Sequence, residues 1–402
     1  MADTLDRFLT ADDRAAVRAP IETASPLPNV AYTSREFFAL EVERIFAPNW
    51  VAIGYAPSVA QPGDIHPMTI FGWPIVMVRG DDHVLRVFHN VGAHDGCPVV
   101  TVRAGGVENL VGPYHGWVYD LHGRLIDAPY WDGHEKPDLA ELRKRDVDLV
   151  EIRSDVWQDI VFVNFSGNAA PLADYLAPMI AFFADYDFSD MAMAFDSEDG
   201  DGIHRYPARA NWKALWENYA PDVYHENFTH ANYRKSDYVP RVDKAGAKTY
   251  TEVNDRGLMG LAFETDAAPS TYPTVNLPKI RRKSDGAPVA TSTILNMYPN
   301  LGFLAFPTHI RVSILVPNGP DDCEWLLASF FTDGAATDPA LRKDRLTGFS
   351  SSHLARVEDD RICEEIQRAR HSPTFRRRFY SPFWETMLYD FNRRVLDDLD
   401  RT

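Results

Sequence analysis

A chain of 402 residues, 45% hydrophobic and 25% charged, has material for two cores, since a single core rarely grows past about 250–300 residues. Its formal net charge of −17 argues against nucleic acid as a partner, because such binders carry a basic footprint, and leaves small molecules and other proteins. No apolar run approaches the roughly 18 residues of a membrane span, the N-terminus has no signal-peptide core, and the cysteines at 97, 323 and 363 form no disulfide framework, so the expectation is a cytoplasmic protein.

In chain order, "SREFFALEVERIF" at 34–46 spaces its apolar residues as a helix does, behind a serine able to cap it. From about 50 to 165, short runs such as "PIVMVRG", "VLRVFHN" and "DIVFVNF" alternate with glycine, proline and Asp-Asp turns, which predicts a small antiparallel β domain. The charge-rich stretch 138–155 is read as a solvated face without a function. Helices are predicted over 171–188 and over 211–230, the latter around Pro221, whereas residues 231–287 read as long loops near a functional mouth or partner surface. Three candidate strands follow at 290–298, 301–316 and 323–332, and residues 339–370 form a long closing helix with a break at Gly348–Ser352.

The strongest chemical signal is Asp222-Val223-Tyr224-His225 followed by His230. On a helix, residues 222 and 225 share a face, whereas 230 converges on 225 only where the helix becomes irregular. Asp359, in "VEDDRICEEIQ", would complete two histidines and a carboxylate, a ligand set that leaves positions open on a non-haem ferrous iron. Spacing alone favours a plainer account, in which the histidines are hydrogen-bonded in a core and the acid lies on the surface. The same ligand set also suits zinc in a hydrolase.

Several stretches in order, "EVERIFAPNWVAIGYA", "FHNVGAHDG", "GPYHGWVYD", "NWKALWENYAPDVYH", "EDDRICEEIQ" and "YSPFWETMLYDFNRRV", resemble the catalytic α subunits of the Rieske non-haem iron ring-hydroxylating oxygenases. The resemblance implies an α+β chain: an N-terminal helical segment (1–48) packed on the catalytic domain, a small antiparallel β domain (49–165), and a catalytic domain (166–402) with a helix-grip antiparallel sheet and a long C-terminal helix. It also implies His225, His230 and Asp359 as ligands of a mononuclear Fe2+, Asp222 as the acid linking that iron to a neighbour's cluster, and Asn218 as a supporting residue. Two adjacent acids leave Asp360 as the alternative carboxylate.

In that family the β domain holds a [2Fe–2S] cluster by Cys-x-His, seventeen residues, then Cys-x-x-His. Here Gly92-Ala93-His94 and Gly112-Pro113-Tyr114-His115 keep the spacing and both histidines, but both cysteines are glycine. A Rieske cluster needs two thiolates on one of its irons, and glycine offers no ligand. Cys97, five residues past Gly92, could reach one position only by rebuilding the loop; Cys323 and Cys363 belong to the other domain, and Asp95 stands where the family usually has arginine. The expectation is therefore no cluster in this chain.

Family subunits form rings of three in which one subunit's cluster serves the next subunit's iron. A chain with iron but no cluster would then draw its electrons from a different, cluster-bearing α subunit, itself fed by a ferredoxin or an NAD(P)H-dependent reductase. His115 would meet Asp222 of an adjacent chain as a retained docking contact, or hydrogen-bond within its own domain. The product of such a complex would be a hydroxylated or oxidatively dealkylated small molecule; the alternative is a non-catalytic, structural or regulatory α-like subunit. Phe228, Phe263, Ile294, Met297, Phe303 and Phe306 are candidate pocket residues.

Overall fold

The computed structural model describes residues 4–231, 241–264, 275–375 and 379–401. They fall into two compact units: Ala47–Ala169, and a larger one formed by the chain up to Phe46 and from Ala170 onward. Among the described residues no helix is long and apolar enough to cross a membrane.

The smaller unit is antiparallel β. Its six-stranded sheet runs Val51–Tyr55, Ile160–Asn164, Glu151–Trp157, Leu85–His89, Trp73–Arg79, Ile65–Ile70, and a three-stranded sheet joins Leu110–Val111, Val118–Tyr119 and Leu125–Asp127. Its core includes Leu139, Leu142, Val147 and Leu149. The stretch 138–155 is therefore more than a solvated face: its charges point outward while its leucines and valine close the core.

The larger unit is α+β, built on an eight-stranded antiparallel sheet. Its order is Ala192–Met193, Asp322–Phe331, His309–Gly319, Leu301–Phe306, Thr291–Met297, Leu258–Glu264, Thr251–Asp255, with His204–Ala208 also paired to Asp322–Phe331. The predicted strand 301–316 is two strands, because Pro307 cannot donate to a ladder and Pro307-Thr308 becomes the turn between them. Residues 251–264, read as loop, form a hairpin whose alternation is hidden because its second strand is buried on both faces. The rest of the long-loop expectation for 231–287 falls partly on 232–240 and 265–274, outside the described residues.

Ser34 caps the helix Arg35–Glu41, its side chain accepting from Phe37 N at 3.1 Å, and the chain continues through a π turn to Phe46. Glu41, fully buried, accepts from Lys213 Nζ at 2.5 Å and from Trp212 Nε1 at 3.0 Å, fastening the N-terminal segment to the helix Trp212–Tyr219. Burial alone would drive both groups neutral; their mutual attraction opposes this. The stretch 171–188 divides into Leu172–Tyr175 and Ala177–Phe182, with Pro178 opening the second piece. By contrast the closing helix runs unbroken from Arg342 to Arg370: Gly348 costs only about 1 kcal/mol in a helix and does not interrupt it. The early helix Ala11–Arg18 lies in the N-terminal segment expected to be helical, and a second C-terminal helix, Thr386–Leu399, follows the closing one; Arg18 joins the two by ion pairs to Asp397 (2.7 Å) and Asp400 (2.6 Å).

Candidate metal centre

The helix Trp212–Tyr219 starts where Asn211 accepts from Lys213 N at 3.1 Å. It stops before Pro221, not around it, because the residue preceding a proline is disfavoured in the α region, and Ala220 leaves it at φ −133°. Tyr219 lies flat on the sheet because position 302 is glycine: a Cβ there would approach its hydroxyl to 2.8 Å. After the helix, Asp222 Oδ1 accepts from Tyr224 N (2.9 Å) and His225 N (3.3 Å), which folds Tyr224–Asn227 into a single 3-10 turn. Glu226, buried in that turn, holds it through the guanidinium of Arg241, which donates to both carboxylate oxygens and lies 4.5 Å from the Phe263 ring centroid.

This turn brings His225 and His230 together, Nε2 to Nε2 at 3.3 Å, with their side chains 14% and 5% exposed. The long helix Arg342–Arg370 approaches with three consecutive acids, about 100° apart around its axis, doing three different things. Glu358 faces His230 Nδ1 at 3.0 Å and Ala231 N at 3.4 Å. Asp359 Oδ1 stands 3.2 Å from His225 Nε2 and 3.4 Å from His230 Nε2. Asp360 turns away, accepting from Trp325 Nε1 at 3.1 Å and from the Arg356 guanidinium. Of the two adjacent aspartates, Asp359 is the one that converges with the histidines.

Three donor atoms at 3.2–3.4 Å from one another have the spacing of neighbouring ligands on one ion, since bonds of about 2.0–2.2 Å at roughly right angles or a little wider place ligands about 3.0–3.4 Å apart. Asp359 Oδ1 is buried yet makes no hydrogen bond, so its lone pairs face the common point between the three. Burial works against a charged His225, but the facing Asp359 carboxylate and Asp222 outweigh it and hold the imidazole well above its ordinary pKa. Two imidazoles and one carboxylate on one side are a donor set for ferrous iron with open positions, and the residues fit that group.

The centre opens on a cleft lined by Leu215, Leu261, Leu304, Tyr219, Arg311 and Trp325, and also by Asn218 and Asp222. Of the six candidate pocket residues, Ile294 and Phe306 line it. Phe228 is 75% exposed, and Phe263, Met297 and Phe303 are buried in the core. Sequence reasoning missed Glu358, Arg311, Arg356, Tyr219 and Trp325; only the Glu-Asp-Asp run hinted at the first, and the others are strand or helix residues indistinguishable from core.

In the β unit, two loops repeat one hydrogen-bond pattern. Gly92 N donates to Cys97 O (2.9 Å) and Gly96 N to Gly92 O (2.9 Å); Gly112 N donates to Trp117 O (2.8 Å) and Gly116 N to Gly112 O (3.1 Å). Gly96 and Gly116 both take the left-handed region, at φ 77° and 71°. His94 and His115 lie at the loop tips, Nδ1 to Nδ1 at 3.1 Å. Gly92 and Gly112 put no donor atom between them, and they line a small cavity with Cys97, Val99, Trp117 and Tyr119. Cys323 and Cys363 are buried in the larger unit, beside the carbonyls of Ala210 and Ala214.

Residues 195–401 match the family model described as the catalytic domain of the ring hydroxylating alpha subunit, and residues 49–142 match that of the Rieske [2Fe-2S] domain. The benzene 1,2-dioxygenase subunit alpha of Pseudomonas putida is 31% identical over 198 residues, 49% of this chain and 42% of that protein, so the match spans less than half of that relative's length. The carnitine monooxygenase oxygenase subunit of Acinetobacter pittii is 28% identical over 88% of both chains. The solved structure of a quaternary ammonium Rieske monooxygenase shares the fold at a TM-score of 0.75 and 22% identity, covering 96% of this chain and 98% of that one.

Proposed function

This chain belongs to the ring-hydroxylating alpha subunit family, and on that premise we propose that it is an oxygenase-type α subunit whose mononuclear iron, held by His225, His230 and Asp359, acts on a small organic molecule. The reaction is hydroxylation or oxidative dealkylation with O2. The observation that supports this most directly is the convergence of three donor atoms at 3.2–3.4 Å, one of them a buried carboxylate oxygen without a hydrogen bond, on an open cleft.

A ferrous ion held by His225, His230 and Asp359 would supply the open coordination positions that oxygen activation needs. The surrounding residues keep the ligands in place. Glu358 holds His230 through Nδ1, at 3.0 Å, with Nε2 turned inward. Asp222 shapes the turn that aims His225, and its carboxylate lies 3.7 Å from His225 Nδ1. Arg356 is paired with Asp360 in the lining of the cleft.

With glycine at 92 and 112 this chain holds no [2Fe–2S] cluster, and its electrons come from a different, cluster-bearing α subunit supplied by a ferredoxin or NAD(P)H-dependent reductase. Asp222 is the bridging acid, and His115 persists as the contact that meets it on an adjacent chain. A ring of three cannot alternate two kinds of subunit evenly, so the mixed assembly is unequal in stoichiometry or is a hexamer of two stacked rings.

The first measurement is iron and acid-labile sulfide on the protein purified alone: about one iron and no sulfide is expected, and sulfide with extra iron sinks the reading of the two glycines. The second is turnover of the co-expressed complex with His225→Ala. A fall of more than about 100-fold, beyond what loss of an outer partner of a ligand gives, is expected; unchanged turnover makes this chain a non-catalytic subunit.

A further inference from the structure

The loops of the β unit gather donor atoms of their own. His115 Nδ1 lies 3.1 Å from His94 Nδ1 and 2.5 Å from Asp95 Oδ2, and His94 Nδ1 lies 3.6 Å from the same oxygen. We propose that His94, Asp95 and His115 hold a single divalent ion of the zinc class, which ties the two loops together in place of sulfur ligands. This goes beyond the catalytic reading and does not depend on it.

Proton counting carries the argument. Each Nδ1 holds one proton or one lone pair. If His115 Nδ1 donates to Asp95, its proton is committed there, and His94 Nδ1 is left facing a donor already in use. If His94 donates to His115 instead, the His115 lone pair points at a carboxylate oxygen 2.5 Å away, which is repulsive. One cation among the three atoms relieves both arrangements, and a metal ion relieves them without forcing an imidazole to stay protonated. The spacing agrees: 3.1 Å between the nitrogens suits neighbouring ligands, and a small rotation of the Asp95 carboxylate evens its 2.5 and 3.6 Å distances toward the about 3 Å that bonds of roughly 2.0–2.2 Å require.

The ligands are also supported. Asp95 Oδ1 accepts from Cys97 N at 2.9 Å, which leaves Oδ2 for the ion. The His94 ring stacks on Trp117, 5.1 Å between centroids and 22° between planes, with Trp131 edge-on at 5.7 Å. Side-chain exposures of 35% for His94 and 41% for His115 leave the remaining coordination positions to water. Because both histidines use Nδ1, Nε2 of His115 stays available at the surface for a docking contact.

The test counts ions. Full-length protein is stripped with a chelator, reloaded anaerobically with Zn2+, desalted and analysed by mass spectrometry, with circular dichroism to confirm that each variant is folded. Wild type is expected to keep two ions per chain, Asp95→Asn/His115→Gln one, and His225→Ala/His230→Ala one; a single His94→Asn variant serves if either double variant fails to fold. A wild type that keeps one ion, retained in the Asp95/His115 variant and lost in the His225/His230 variant, overturns this site and leaves the catalytic reading standing. One ion with the opposite pattern keeps this site and removes the catalytic triad. Two ions undisturbed by Asp95→Asn/His115→Gln, or none in any protein, also overturns it.

Discussion

The centre at His225, His230 and Asp359 and the loops at His94, Asp95 and His115 use the same residue types and similar spacing, but they are built differently. In the catalytic unit the ligand side chains are at most about a fifth exposed and the two histidines are braced: Glu358 behind His230, Asp222 beside His225, Glu226 and Arg241 beneath the turn. In the β unit the ligands sit at the tips of two glycine-hinged loops, a third or so exposed, and the bracing comes from one backbone N–H and one indole face. A site that must keep water out and hold open positions is constructed from the core outward. A site that ties two loops can be assembled from the loops themselves.

Four perturbations sharpen that contrast. The largest effect is expected inside the catalytic unit's scaffold: Lys213→Met strands a fully buried Glu41, and breaking such a pair costs about 3–5 kcal/mol, read as a lower denaturation midpoint of the larger unit. If the midpoint does not move, the pair is not what holds the N-terminal segment to the helix that leads into the site. Next, Glu358→Gln removes the anionic partner of His230 Nδ1 and should weaken iron binding roughly 10–100-fold in equilibrium competition with a chelator, with the fold intact. An unchanged affinity would mean that His230 is oriented by packing alone.

Acid distinguishes the units in a third way. His309 in the large sheet is buried between the rings of Phe306 and Phe331, and burial, with Arg311 nearby, pushes its pKa down to about 3. Below the ordinary histidine pKa of about 6.5 the unfolded chain takes a proton that the folded one refuses, so the folded state loses stability as pH falls from there toward 3. The loss from this residue is at most about 1.4 kcal/mol per pH unit, and His309→Phe should flatten that part of the stability curve. A curve of unchanged slope refutes the assignment. The smallest effect belongs to the β unit: a Cβ at Gly112 meets nothing nearer than 3.6 Å, so Gly112→Cys should stay within about 0.5 kcal/mol of wild type in thermal melts, whereas Gly92→Cys, with Cys97 O at 3.2 Å, should cost more. A larger loss for Gly112→Cys would show that the loop has no room for a side chain at 112.

Much of the candidate site was legible because its chemistry is carried by rare residue types in fixed order. His225 and His230 stand five residues apart beside Asp222, Asp359 lies in a charged run far along the chain, and only resemblance placed the three together before any coordinates did. The choice between Asp359 and Asp360 was not legible: neighbours on a helix differ by about 100° in direction, and only the position of Trp325 and Arg356 decides which one turns away. Glu358 was missed for the same reason. Element boundaries failed where proline acts over a short range, at Ala220 before Pro221 and at the turn after Phe306, and the hairpin 251–264 was hidden because a strand buried on both faces loses its alternation.

By itself the sequence determined the two-unit α+β organisation, the residue types able to bind a metal, and the presence of glycine at 92 and 112, since these depend on composition, local periodicity and the identity of single side chains. Tertiary structure alone decided which acid meets which histidine, that Asp95 closes on His115, and that a helix 128 residues away in sequence braces His230. Those outcomes depend on the relative rotation of packed elements, where a change of one residue redirects a side chain by a quarter turn or more.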